Sequence, residues 1–411
     1  MLFFDVITIS RNILGTTSHL CQVSLNGSLR WCDDIDPSSW VWDTSSSKAK
    51  DVKDVFKLLK IDFPVLIPDK HLNSISSLNL SENCNVRWHQ VMRADEFKKI
   101  LSDMLSIIWN VLGAFASSDY EDVFELKSLL LRKMQPASID LSMYHSFIKE
   151  EINPTVNSTI RSFLPRDGKA APIEYAQVST NTGRLTVKSG PKILTVPSRC
   201  RKMIKSSYTG GKVIEIDYVS IEPRIALTIA GKKCNSDIYE YISNELFMSS
   251  LSRKQVKVAT LCALYGASVK KLSSVIGNDL SSRDVIKKIK DFFAFNDIVG
   301  PLKSEYAEKG HITNFFGRPI HTDDPADHIM FNNFIQSTSV DVAMIGFDKI
   351  LDDLSANNVK VSPLFLIHDA IILDLAESDI PKVKSIFDNG VFLEGFGELP
   401  IGISDLSGQT L

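Results

Sequence analysis

The stretch VIEIDYVSIEPRI, Val213 to Ile225, ends an apolar run on Asp217 and soon afterwards places Glu222 and Arg224. A carboxylate leaving the tip of a buried strand is costly unless something positive meets it. A second carboxylate of this kind stands in SPLFLIHDAIILDL, Ser362 to Leu375, where two apolar strand-like runs flank His368 and Asp369. A tight hairpin there holds Asp369 at its tip, beside the strand that ends in Asp217. One aspartate at a strand end is usually a turn former. Two on adjacent strands make a site for hard divalent cations, which want oxygen ligands. The third element is SRKQVKVATLCALYG, Ser252 to Gly266, read as a helix. At ~100° per residue a row spaced by four drifts only ~40° per step, so Arg253, Lys257, Leu261 and Tyr265 share one flank over roughly 18 Å. Standing alone, such a row is a solvated amphipathic face. Beside a two-carboxylate metal site it is a rail for a triphosphate, with a base stacking toward Tyr265.

The elements that must position these groups belong to a chain of 411 residues and 45.8 kDa, long enough for two or three lobes. Hydrophobic residues at 44% and charged residues at 23% are globular values, and no apolar run approaches the ~20 residues that span a bilayer. The amino end, MLFFDVITIS, has no basic segment before its apolar run and carries Asp5, so it reads as a strand rather than a signal peptide. The expectation is a soluble, cytoplasmic protein without a membrane partner. The six cysteines are scattered, with no zinc-ligand spacing, and read as reduced thiols. The net charge of -3 hides an asymmetry: from Arg184 to Lys212 there are eight Lys or Arg and no acid. That run is either a solvated patch or a track for a phosphate backbone.

Periodicity divides the chain further. Residues 1 to 88 read as a small α/β unit with strands in LFFDVITIS, HLCQVSLNG and SLRWCD, a helix in DVKDVFKLLK and a strand in FPVLIPD. Residues 95 to 165 read as an all-helical lobe, 166 to 224 as strands and turns, 225 to 310 as helices, and 311 to 411 as strands around one long helix.

The three chemical elements, in this order, resemble the family A (Pol I-like) DNA polymerases. DYVSIEPR is similar to that family's motif A, DYSQIELR; RKQVKVATLCALYG to motif B, RxxxKxxxFxxxYG; and IHDA to motif C, VHDE. TNTGRLT resembles the family's TxTGRLS, NFFGRP its FGRRR, and FNNFIQSTSVD its INxPIQGTAAD helix. The resemblance covers residues 165 to 411. It implies an α+β right-hand fold: a short thumb at 95–165, a palm at 166–224 and 311–411, and fingers at 225–310. It implies two Mg²⁺ per site, with Mn²⁺ as a substitute, held by Asp217, Asp369 and the Tyr218 carbonyl. Arg253 and Lys257 would meet the triphosphate of a dNTP, Lys257 also acting catalytically, with Tyr265 beside the templating base and Glu222 excluding a 2′-hydroxyl. Arg184, Asn332, Gln336, His368 and Arg318 would touch primer-template DNA.

The sequence departs from the pattern at Ser220, Leu261 and Ala370, none of them a metal ligand, and Tyr239 stands where the family often has histidine. The implied activity is template-directed addition of dNMPs to a primer 3′-OH. The alternatives are a single-subunit RNA polymerase relative and an inactive polymerase fold that only binds DNA. The amino-terminal unit resembles the start of an RNase H-like exonuclease fold, but Ile7 stands where the second acid of a DxE pair would be. The expectation is therefore a scaffold or a dock for a replication helper protein, without 3′-5′ proofreading. Brevity points to a viral or plasmid replicon.

Overall fold

The computed structural model describes residues 120–411 apart from Asn235, Ala267, Ser268, Asn278 and Asp279. Ahead of them it describes four strands, one helix and a few single positions up to 103. The chain divides into two compact units, Met1–Ser118 and Asp119–Leu411. In the first, Val6–Ile9 (β1) pairs antiparallel with Leu20–Ser24 (β2), and β2 with Leu29–Cys32 (β3). Trp40–Trp42 (β4) joins the other edge of β1 in parallel, giving the order β3-β2-β1-β4. The three expected strands are present, and β4 is a fourth, too short to declare a period. Asp69–Ser77 (α1) follows. The helix expected at DVKDVFKLLK, the strand expected after it, and Asp5 lie outside the described residues.

The second unit is built on a four-stranded antiparallel sheet of Gly211–Tyr218 (β5), Val361–Ile367 (β6), Ala370–Ala376 (β7) and Ile401–Asp405 (β8), in the order β6-β7-β5-β8. Its helices are Glu121–Arg132 (α2), Leu141–Glu150 (α3), Pro154–Arg161 (α4), Ile221–Ile229 (α5), Ile238–Phe247 (α6), Arg253–Tyr265 (α7), Val269–Ile276 (α8), Ser282–Phe292 (α9), Phe295–Lys309 (α10), Asp327–Ala356 (α11) and Ile380–Ile386 (α12). Side chains alternate faces along a strand. Ile214, Ile216 and Tyr218 of β5, with Ile371, Leu373 and Leu375 of β7, therefore share one core with Val342, Phe347 and Ile350 of α11. Val213 and Ile372 enter a second core with Tyr144, Ile160 and Phe163. A third core joins α6, α7, α9 and α10 to Phe331 and Ile335 of α11.

Of the helical lobe expected over 95–165, residues 104–119 lie outside the described residues, and α2, α3 and α4 are its described helices. Leu130 of α2 joins the core under α11, and α3 and α4 cover the opposite face of the sheet. A 3.6-residue stripe looks the same whether it meets a helix or a sheet. The sequence pattern could not choose between them.

One buried cluster ties α2 and α11 to the loops between them. Asp341 of α11 and Lys127 of α2 have fully buried side chains and meet at 2.5 Å. The same Oδ1 of Asp341 accepts from Tyr120 at 2.8 Å, and its Oδ2 accepts from Asn314 at 2.6 Å. Burial pushes the Lys127 ammonium below its usual range, while Asp341 opposes that shift. A charge-sharing cluster of this kind is costly to half-dismantle.

At the end of β5 the Tyr218 ring packs 5.6 Å from that of Phe347, and its buried hydroxyl has no partner among the described residues. Gly346 of α11 makes room for it: a Cβ there would lie 1.8 Å from the Tyr218 oxygen.

Lys127→Ala strands a buried carboxylate and should cost about 3–5 kcal/mol of stability in urea unfolding. A loss under about 1 kcal/mol would mean that the pair does not hold α2 to α11. Gly346→Ala should cost about 1–3 kcal/mol by overpacking. Tyr218→Phe, which removes only an unpartnered hydroxyl, should leave the unfolding midpoint unchanged or higher.

Candidate active site

The register of the sheet brings the two aspartates to one edge. Asp217 lies opposite Ala370 of β7 on one side and Gly402 of β8 on the other. Ile367 pairs with Ala370, so His368 and Asp369 alone make the turn between β6 and β7. His368 takes a left-handed φ of 54°, and the Tyr218 amide donates to the Asp369 carbonyl at 3.1 Å. The hairpin read from IHDA is therefore formed, with Asp369 beside the strand that ends in Asp217.

Among the described residues neither carboxylate forms an ion pair. Burial first, then Asp369 and Glu215, push the Asp217 carboxyl up to about 7. Burial also raises Asp369, with Glu222 adding to it and His368 and Arg184 opposing. Two acids held in a state that resists ionisation mark a place where a positive charge is wanted. The donors are all hard oxygens, which fit a divalent cation such as Mg²⁺. Among the described residues no group of three or more His, Cys, Asp or Glu could hold a metal. Asp217 and Asp369 would therefore leave much of a coordination shell to water and substrate, as Mg²⁺ commonly does.

Glu222, at the start of α5, links this edge to the helix α7. Its Oε1 accepts from Arg184 at 2.7 Å and its Oε2 from the Tyr265 hydroxyl at 3.0 Å. Burial, followed by Glu222, holds the Tyr265 phenol well above its usual range. Helix α7 begins with a capping box between Ser252 and Gln255 and ends on Gly266 at φ 71°. Its apolar side, including Val256, Ala259 and Ala263, is buried, whereas Arg253, Lys257 and Leu261 are exposed. The Arg253 guanidinium donates to Asp237 at 2.7 and 3.0 Å. It lies 5.5 Å from the Tyr239 ring, with the Lys257 ammonium at 5.8 Å. A pocket of about 140 Å³ is lined by Ser220, Glu222, Tyr239, Leu261, Tyr265 and Asp369. Leu261 and Tyr265 of the expected row thus share a cavity with an expected metal ligand, while Arg253 and Lys257 are not in its lining.

A second cleft, about 70 Å³, brings together Arg184, Glu222, Gln336, His368 and Asp369. Gln336 accepts from Thr182 at 2.7 Å, which ties the TNTGRLT segment to α11. Asn332 lies one turn before Gln336 and is half-buried. Arg318 differs from its expected place on a DNA-facing surface. It is buried, donates to the Tyr120 hydroxyl and the Gln177 carbonyl at 3.2 Å each, and lies under Gly183. Its guanidinium supports the loop that carries Arg184.

The basic run is also partly spent. Arg184 meets Glu222, Lys188 meets Glu174, Arg199 meets Glu151, Arg201 meets Glu215 and Lys212 meets Glu377. Two functional neighbours escaped the sequence reading. Asp237 anchors Arg253 while capping α6, and its position before an apolar helix is an N-cap signal. Glu215 lies two residues before Asp217, hence on the same face of β5.

The fold has a solved counterpart. The POL domain of Pol1 from M. smegmatis, in complex with DNA primer-template and dNTP, superposes with a TM-score of 0.58 at 12% identity, covering 95% of this chain and 93% of that one. A family model described as DNA polymerase family A matches residues 118–395. The chain belongs to DNA polymerase family A. It is 25% identical over 348 residues to DNA polymerase I of Caldicellulosiruptor bescii, covering 75% of this chain. It is 22% identical over 270 residues to DNA polymerase I of Streptococcus pneumoniae, covering 57% of this chain. It spans 39% and 30% of the lengths of those relatives.

Between pH 4 and 7 an unfolded Asp217 would ionise while the folded one keeps its proton. The folded state then binds more protons, so stability of the metal-free protein should fall as pH rises through this window. Asp217→Asn should flatten that slope in thermal unfolding. An unchanged slope would place the titration elsewhere.

Proposed function

We propose that the chain is a template-directed DNA polymerase that adds dNMPs to a primer 3′-OH. The observation that carries this reading is the shared cavity of Asp369, Glu222, Tyr239, Leu261 and Tyr265, beside the cations of α7 and the second carboxylate, Asp217. In the solved relative the same fold was captured with DNA primer-template and dNTP. Residues 166–224 and 311–411 form the palm, and 225–310 the fingers. The amino-terminal unit serves as a scaffold or helper-protein dock.

Asp217, Asp369 and the Tyr218 carbonyl would hold Mg²⁺, for which Mn²⁺ could substitute, and the chemistry supplied there would be activation of the attacking hydroxyl and neutralisation of charge on the leaving oxygen. The chain's own residues orient the reactants. Lys257 and Arg253 bind the triphosphate, Arg253 in an orientation fixed by Asp237. Lys257 lies over the Tyr239 ring and holds a donor against the leaving phosphates. Glu222, pinned from both sides by Arg184 and Tyr265, occupies fixed space where a 2′-hydroxyl would come. Leu261, 39% exposed, gives the sugar an aliphatic rather than an aromatic wall. Gln336, Asn332, His368 and Arg184 contact the primer-template, with Arg318 supporting Arg184 from below.

Primer extension with dNTPs, or with NTPs in their place, tests the reading. The wild-type chain should extend with dNTPs and reject NTPs. Extension with NTPs alone would favour an RNA polymerase, and binding without extension a DNA-binding protein. Asp217→Ala and Asp369→Ala should each cut extension below about a hundredth of wild type while primer-template affinity stays within a few-fold. Lys257→Ala should lower the single-turnover rate at subsaturating dNTP by about 10- to 100-fold, as expected for one charge-assisted bond. A loss confined to DNA affinity would remove Lys257 from the nucleotide site.

A further inference from the structure

A cavity of about 230 Å³ lies between α5 and the hairpin of Val391–Leu393 and Gly397–Leu399, with Arg224, Thr228, Lys233, Cys234, Phe392 and Glu398 in its lining. It shares no lining residue with the 140 Å³ pocket at Tyr265 or the 70 Å³ cleft at Gln336, and it is larger than either.

One wall is positive. Arg224 is 5% exposed, and its guanidinium donates to the carbonyls of Val219, Cys234 and Ser236 at 2.9, 2.6 and 2.6 Å. Carbonyls satisfy N–H groups but leave the charge uncompensated, and among the described residues Arg224 forms no ion pair. Burial draws the guanidinium below its usual range, with Cys234 and Asp237 opposing. A buried cation without a counter-ion favours an anion in the space beside it, whichever of its N–H groups faces that space, because the Coulomb term depends on distance alone. Lys233 adds a second charge: it is exposed, lines the same cavity and, among the described residues, is in no ion pair.

The other wall offers an aromatic face and an acceptor. Phe392 and Glu398 are direct partners across the hairpin, so their side chains share one face, and both are exposed. Phe396 is already occupied, with its ring 5.0 Å from Phe315 and 6.0 Å from Phe316. Phe392 is 59% exposed and has no ring partner among the described residues, which leaves its face open for stacking. The Glu398 carboxylate repels a bare anion and accepts from N–H donors. A ligand for this cavity therefore carries its negative charge at one end and a flat ring with an N–H donor at the other. At ~30 Å³ per water the space takes a single base and no duplex. A nucleotide meets each condition: phosphate pairs with Lys, a base stacks on an aromatic ring, and an exocyclic amino group, such as cytosine N4, donates to a carboxylate.

We propose that this cavity is a binding site, separate from the candidate active site, for a nucleoside monophosphate whose base carries an amino group. The base lies on Phe392 with its amino group toward Glu398, and the phosphate faces Lys233 and the Arg224 charge.

The test is calorimetric titration of the metal-free full chain with cytidine monophosphate (CMP) and with uridine monophosphate (UMP), which has an oxygen in place of the amino group. CMP should bind, and UMP should bind about 3- to 10-fold more weakly, the worth of one hydrogen bond. Lys233→Ala should weaken CMP binding about 10-fold, as for one charge-assisted bond, and Phe392→Ala at least about 5-fold through lost stacking. Both side chains are exposed, so these variants keep the fold. Lys257→Ala should leave CMP affinity unchanged. A second measurement locates the ligand: Cys234 is half-buried in the cavity wall, whereas Cys200 and Cys262 are buried. CMP should slow alkylation by iodoacetamide at the Cys234 peptide, and at the same concentration should protect it less in Lys233→Ala.

Absence of CMP binding, equal affinity for CMP and UMP, or an alkylation rate that CMP leaves unchanged would overturn the proposal. So would affinity lost in Lys257→Ala and kept in Lys233→Ala, which places the nucleotide in the candidate active site. Neither measurement uses primer extension, so the polymerase reading stands or falls separately.

Discussion

The second unit depends on a carboxylate that never reaches solvent. Asp341 is satisfied on both oxygens, by Lys127 and Tyr120 on one and Asn314 on the other. Its partners come from α2, the residue before it, and the loop ahead of Arg318. A buried charge tolerates little displacement, because each lost partner exposes an uncompensated ion to a low-dielectric interior. The cluster therefore fixes the register of α11 against α2 and that loop. From there the support runs outward. Arg318 touches the Tyr120 hydroxyl and lies against Gly183, where a left-handed φ of 77° and a guanidinium 2.8 Å from where a Cβ would stand both favour glycine. The next residue is Arg184, which holds Glu222.

Against this background the aspartates of the sheet fall into two classes. Asp374 on β7 is as buried as a core residue, yet Ser206 and Ser207 hydrogen-bond both of its oxygens. It is structural. Asp217 and Asp369 sit at the same sheet's tip, desolvated and, among the described residues, in no ion pair, and burial raises both carboxyls. Side chains kept in an electrostatically unfavourable state, where a serine or lysine could have relieved them, are the physical ground for proposing this end of the sheet as the reactive one. Glu222 bridges that end to α7, so the cations of the helix and the acids of the sheet keep a fixed relation.

Short-range pattern was enough to find the candidate residues and their elements. An apolar run ending in Asp217, a two-residue turn at His368 and Asp369, and a four-residue spacing from Arg253 to Tyr265 are each set by the local period of a strand, hairpin or helix. Local periodicity survives folding, and these residues occupy the places expected of them. The helical stripe of residues 120–161 was equally legible as helix. Its partner was not, since an amphipathic face carries no label for the surface that will cover it.

Pairing and burial were decided only in three dimensions. The run from Arg184 to Lys212 contains no acid, yet folding brings Glu222, Glu174, Glu151, Glu215 and Glu377 onto five of its cations. Arg318 reads as a surface cation and is buried; Lys127 reads as one more helix lysine and carries the central ion pair, with 214 positions separating it from Asp341. Ser339 reads as an ordinary polar helix residue, and only the packed structure buries its hydroxyl with no partner among the described residues. The sequence by itself determined which residues are the candidates for the chemistry and the elements that present them, because hydrophobic periodicity acts over a few residues. Tertiary structure alone decided which charges are neutralised and which stay available, because Coulomb and desolvation energies depend on distance in space and not on separation along the chain.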